Sequence, residues 1–476
     1  MSVVLRTDLG GTPSTSPGQP LLSLVQVSDA HVIDSVSPAR CEWIELLANE
    51  ELWKPLLHMH RPYEALTHWA LAAHIDRLRA DPCAPHTHRP YDLLLSTGDN
   101  IDNAQANELD TFLTILAGGT TRLSAYGGVH DPSNELGSGP WPFWSPDRAV
   151  DCTWKPQGYP VIDNFLERVS APLQSRGLGF AWASLPGNHD VMRQGTALPN
   201  AAIERIAVGS NKTLRCPSGF APQDPLSLFV SHPELFSAGA TRQIAADPMR
   251  SAVDLRFWLQ AHVDKGAAGY TTDHVQRGCA DTVIDTEHVR LILLDTNHPG
   301  GDYQGSVGAA QLAWLDERLT EADAIPGRLA VLVSHHGSAS LINTRGDDPD
   351  RLLADALVQV AHRHPSVVAW LVGHRHLHRV VAHTPLQSGQ GGHSGFWEIT
   401  TASVIDWPSQ LRAIEIVRHT DGTVEIACSL LDHHAAPESL AALHLGLSRR
   451  FAGAGAGHMQ GQPGDGDVRL LWPGRI

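Results

Sequence analysis

Short apolar runs recur along the chain, divided by stretches where apolar positions return every three or four residues. Leu21–Val27, Tyr91–Ser96, Ala181–Leu185, Val289–Leu294, Leu329–Val333 and Val367–Val372 are too short for stable helices and have the profile of buried strands. Between the first two, Leu71, Ile75 and Leu78 share one helical face, and Pro62 is placed where a first helical turn tolerates proline. Leu109, Phe112, Leu113 and Leu116 predict a second helix, from about Ala104 to a stop at Gly118. Leu312, Leu315 and Leu319, then Leu352, Ala356, Leu357 and Val360, predict two more. Phe396–Ile399, Leu411–Ile416 and Thr423–Ala427 follow as strands with short links, Asp421-Gly422 forming a hairpin turn. Strand alternating with helix defines an α/β protein.

The 476 residues suffice for one large domain with insertions. A flexible segment is expected over 1–20, a main domain over 21–435 and a C-terminal extension over 436–476, Gly-rich and without order from about 451. Weak periodicity marks two insertions, about 119–177 and 192–287. The first carries Trp141, Phe143, Trp144, Trp154 and Tyr159, which suit either a small hydrophobic core or a stack against a base. A hydrophobic fraction of 42% and a charged fraction of 18% describe an ordinary globular chain. The net charge of −16 argues against nucleic acid or anionic lipid as partner. The N-terminus lacks a secretory apolar core and no run reaches a membrane span, so the expected compartment is cytoplasmic. The six cysteines stand singly, without a Cys-x-x-Cys pair, and read as buried thiols.

Chemistry enters where the strands end. Leu185-Pro186-Gly187 turns sharply and presents Asn188, His189 and Asp190 side by side. Four other runs close on Asp29/His31, Asp99, His335/His336 and His374/His376. Sites in open α/β sheets form beyond the carboxyl ends of strands. Carboxylate, imidazole and amide suit manganese, iron or zinc with an open coordination position, and seven or more such groups point to two ions.

In order, Asp29-Ala30-His31, Gly98-Asp99-Asn100-Ile101-Asp102, Gly187-Asn188-His189-Asp190, His335 and Gly373-His374-Arg375-His376 resemble the five blocks of the calcineurin-like metallophosphoesterases. The blocks cover few residues but span most of the chain. The resemblance implies a β-sandwich of two mixed sheets flanked by helices (α/β/β/α), here with long insertions. It implies a first metal on Asp29, His31 and His376, a second on Asn188, His335 and His374, and Asp99 bridging both. His335 is preferred to His336 because the family's ligand is the first of such a pair.

The same resemblance implies a phosphoric ester hydrolase, phosphomonoesterase or phosphodiesterase, in which a metal-bridging hydroxide attacks phosphorus. His189 would supply the leaving oxygen with a proton, held by Asp102, a residue that could equally cap the helix near Ala104. Arg375 and His298 are candidate contacts to a small phosphate-ester substrate. A scaffold with weak or lost catalysis and a nuclease are the alternatives; no block residue is missing, against the first, and the acidic balance weighs against the second. Oligomeric state does not follow from the residues.

Overall fold

The computed structural model describes residues 3–123, 144–146, 149, 153–384 and 395–473. Thirteen strands in these residues build two large sheets. In chain order they are β1 (Val4–Arg6), β2 (Gly18–Val27), β3 (Leu93–Ser96), β4 (Trp182–Ser184), β5 (Thr282–Asp285), β6 (Val289–Leu294) and β7 (Leu329–Ser334). Then come β8 (Val367–Val372), β9 (Arg379–His383), β10 (Phe396–Thr400), β11 (Leu411–His419), β12 (Val424–Leu431) and β13 (Val468–Trp472). The seven-stranded sheet runs β1-β13-β12-β11-β2-β3-β4, and the six-stranded sheet runs β9-β10-β8-β7-β6-β5. Both are mixed: β2, β3 and β4 are parallel, as are β6, β7, β8 and β10, while the outer pairings are largely antiparallel.

Period-two alternation places the core. Leu22 and Leu24 of β2, Leu291 and Leu293 of β6, and Leu329, Val331 and Val333 of β7 join one apolar cluster between the sheets. The alternate residues, such as Val25 and Val27 or Ile292 and Leu294, face outward into helices. On the first sheet these helices are α1 (Thr67–Ala80), α2 (Ala106–Ala117) and α3 (Leu255–Asp264), carrying Leu71, Ile75, Leu109, Phe112 and Trp258 inward. On the second they are α4 (Ala309–Asp323) and α5 (Ala354–Arg363), with Leu315, Leu319 and Leu357 inward. A strand buried on both faces reads as an unbroken apolar run, which is why these strands are visible in the sequence. The layers are therefore helix, sheet, sheet, helix.

Several expectations change. Pro62 does not open a helix; α1 begins at Thr67, after a 3-10 turn over Glu64–Leu66. The first twenty residues supply β1 and the start of β2. The C-terminal stretch is ordered beyond 451: a helix, α6 (Leu440–Ala452), precedes β13, which pairs with both β12 and β1. Val468-Arg469-Leu470-Leu471-Trp472 buries four of its five residues, enough apolar surface to fix it despite the glycines before it. The second insertion closes before Thr282, where β5 joins the main sheet. Cys41 and Cys428 are buried thiols, whereas Cys83 is exposed.

A further insertion, 34–66, reads in the sequence only as helical material. It forms 3-10 turns, and its Trp43, Trp53 and Leu56 pack on Phe229 and Phe236 of the 192–287 insertion. Trp144 and Tyr159 of the first insertion sit with Ile33, Tyr63 and Phe165 in another small core; Trp141 and Phe143 lie outside the described residues.

Candidate metal centre

The strand ends converge because the chain curls there. Asp29, His31, Asp99, His374 and His376 have φ of 50°, 40°, 51°, 66° and 52°. The left-handed region costs an ordinary residue about 1 kcal/mol or more, so five such residues at one place need strong support from their surroundings. Close backbone approach adds a second demand. A Cβ on Gly187 would stand 2.2 Å from Asp99 Oδ1 and 2.4 Å from the Asp99 nitrogen, so only glycine lets this turn pass.

The side chains gather into overlapping groups whose donor atoms lie within 4.8 Å: Asp29, His31 and His376; Asp29, Asp99 and His335; His335, His336 and His374; and His31, Asp102 and His189. Hydrogen bonds decide which nitrogens are free. His31 turns Nδ1 to Asp102 Oδ1 at 2.9 Å, and His376 turns Nδ1 to Asp406 Oδ2 at 2.7 Å. Ionised carboxylates only accept, so both rings carry a proton on Nδ1 and point Nε2 elsewhere. Those two Nε2 atoms face each other at 3.3 Å, and Asp29 Oδ1 is 3.3 Å from that of His376. Two nitrogen lone pairs and a carboxylate share such a space only around a proton or a cation. Burial opposes charge on His376, but Asp29 and Asp406 outweigh it and push the ring up to about 9. Burial and the neighbouring His189 push His31 down.

On the other side, His335 donates Nδ1–H to the Thr97 carbonyl at 2.8 Å. Its Nε2 lies 3.0 Å from Asn188 Oδ1 and 3.1 Å from Asp99 Oδ2. Asn188 is oriented by its own amide, which donates to the Gly195 carbonyl at 2.9 Å and leaves Oδ1 facing His335. Asp99 accepts the His189 backbone N–H on Oδ1 at 2.8 Å, and its Oδ2 is 3.7 Å from His31 Nε2. One carboxylate oxygen thus stands between the two groups. Burial raises the Asp99 carboxyl, but His335 and His189 hold it well below the usual range. Asp29 receives the Ser28 hydroxyl and the His374 backbone N–H, the latter 3.1 Å from each of its oxygens. The His374 ring lies beside His336 and His335, with centroids at 4.6 and 5.1 Å; burial and those imidazoles hold it well below its usual value.

His336 has no nitrogen to spare. Its Nε2 is 3.1 Å from the Tyr303 carbonyl, which can only accept, and its Nδ1 then accepts from the Thr296 hydroxyl at 2.9 Å. Of the His335/His336 pair, only His335 turns an uncommitted nitrogen toward Asp99 and Asn188.

His189 holds Nδ1 2.9 Å from the Asp102 carbonyl and 3.1 Å from Asp102 Oδ1. Burial lowers its pKa, and Asp99 and Asp102 more than offset that, leaving it raised. Asp102 does not cap α2: Gln105 occupies that position, and the Asp102 carboxylate is taken by His31, His189 and Arg40. Arg375 is exposed between His374 and His376. His298 is buried, its Nδ1 accepting from the Gly300 N–H at 2.9 Å. Asp406, Arg40, Arg61 and Tyr63 escape a reading of the sequence. Asp406 carries a faint signal, a carboxylate a few residues beyond the apolar run Phe396–Ile399.

No family model matches the chain. A curated protein of Synechococcus sp. (strain WH7803), named Probable cyclic nucleotide phosphodiesterase, is 33% identical over 146 residues, 27% of this chain and 52% of that protein. The chain therefore spans about half the length of the curated relative it matches. Among solved structures, a dimetal phosphatase from Danio rerio is similar with a TM-score of 0.39 and 14% identity, covering 87% of this chain and all of the other. PhoD is similar with a TM-score of 0.33 and 10% identity, covering 87% of this chain and 67% of its own. Among the described residues no helix is long and apolar enough to cross a membrane. The described residues thus combine two mixed sheets flanked by helices with buried His/Asp groups gathered where the strands end.

Proposed function

We propose that the protein is a metal-dependent phosphoric ester hydrolase with two ions. Asp29, His31 and His376 would hold the first, Asn188, His335 and His374 the second, and Asp99 both. The donors fit borderline cations such as manganese, iron or zinc: imidazole nitrogen, carboxylate and amide oxygen, with no thiolate. When bound, such ions activate water and neutralise phosphoryl oxygens. The chain's own residues do the rest. Asp102 fixes the His189 ring through Nδ1, so Nε2 is the atom that can hand a proton to the leaving oxygen. Asp99 fixes the same residue through its backbone N–H.

The observation that carries this reading is the 3.3 Å approach of the His31 and His376 Nε2 atoms, each ring having its other nitrogen committed to a carboxylate. The Synechococcus match favours a phosphodiester over a monoester. The test is a hydrolysis screen of the purified protein with manganese, comparing p-nitrophenyl phosphate, bis-p-nitrophenyl phosphate and cyclic nucleotides. Turnover that depends on manganese is expected, fastest on a diester; no turnover on any of them removes the hydrolase reading.

A further inference from the structure

Arg40 and Arg61 both belong to the 34–66 insertion, and each grips the carboxylate that orients one imidazole of the same group. Arg40 is buried, 1% exposed, and its guanidinium reaches Asp102 Oδ2, leaving Asp102 Oδ1 to His31 Nδ1 at 2.9 Å. Arg61 pairs with Asp406 through both oxygens, Nε to Oδ1 at 3.0 Å and Nη2 to Oδ2 at 2.9 Å. The Tyr63 hydroxyl donates to Asp406 Oδ1 at 2.6 Å, and Asp406 Oδ2 is the partner of His376 Nδ1. Glu64 ties the two stations together. Its Oε1 accepts from Arg40 Nη2 and its Oε2 from the Arg61 backbone N–H, both at 2.9 Å.

Among the described residues, no arginine-held carboxylate is bonded to His335 or Asn188. His335 is held by a main-chain carbonyl at the end of β3, and Asn188 by the carbonyl of Gly195. Resting on the two-ion reading above, we infer that 34–66 is a brace for one ion only: Arg40, Arg61, Glu64 and Tyr63 are positioning residues that aim His31 and His376 at the first cation. Partners of this kind fix the tautomer and direction of a ligating imidazole, and losing one typically lowers metal affinity by about 10–100-fold.

Manganese(II) titration of the metal-stripped full chain, followed by calorimetry and by electron paramagnetic resonance, separates the two ions. Asn188→Ala marks the step that belongs to the second group. Arg61→Gln should weaken the other step by about tenfold or more, leave the Asn188-dependent step unchanged, and convert the coupled two-manganese signal to that of an isolated ion. Should loss of Arg61 unbalance buried charge and prevent folding, Tyr63→Phe removes one hydroxyl from the same carboxylate and should weaken the same step several-fold. Equal weakening of both steps, or of neither, overturns the brace while the two-ion reading stands. Wild-type protein that takes up no manganese overturns both.

Discussion

The two halves of the candidate centre are supported in different ways. His335 leans on the Thr97 carbonyl, part of the framework itself. His31 and His376 lean on side-chain carboxylates, Asp102 and Asp406, that are in turn held by an insertion. A main-chain carbonyl cannot be mutated away and moves only with its strand. A carboxylate held by an arginine can be changed by a single substitution. The second proposed ion site would therefore rest on main-chain carbonyls, and the first on side chains held by the 34–66 insertion.

The largest effect should come from the residue the halves share. Asp99→Asn is expected to lower metal content in both and take turnover to background; elemental analysis showing full occupancy would remove Asp99 from its bridging place. His189→Ala comes next, with turnover down roughly 10²–10⁴-fold and metal content nearly intact. Unchanged turnover would leave the leaving oxygen without the donor assigned to it. The paired histidines then divide sharply. His335→Ala should empty the second half and spare the first, whereas His336→Phe should keep both ions and cost about 1–3 kcal/mol of folding stability, because Thr296 and Tyr303 lose their partner. Denaturant titration beside metal analysis reads both, and metal loss in His336→Phe would reverse the assignment.

What the sequence exposes and what it hides follow the same division. Strands buried on both faces, such as β6 and β8, show as apolar runs, and the polar residues at their ends are legible against them. The left-handed turns at Asp29, His31, Asp99, His374 and His376 leave no mark, since none is a glycine. Arg40 and Arg61 look like any solvated arginines until the fold buries them against Asp102 and Asp406. The final strand, β13, is masked by the glycines before it, although its own apolar run is there to be read.

The smallest prediction supplies a control remote from both halves. His364 lies between α5 and β8, with Nδ1 2.7 Å from Asp323 and Nε2 3.0 Å from Asp316. Burial lowers its pKa, but hydrogen bonds to Asp323 and Asp316 outweigh that and raise it. A raised imidazole contributes stability that is complete below its ordinary value of about 6.5 and fades as pH climbs through the folded value. Asp316 is partly exposed, so solvent screening keeps the contribution under about 1 kcal/mol. Wild type should therefore lose slightly more stability than His364→Gln as pH climbs above about 6.5 in urea titrations. Equal losses would show that His364 gains nothing from its carboxylates. Because this term acts on the whole fold, it would weaken both proposed ion sites alike, and a difference between them would have to come from the groups at the centre itself.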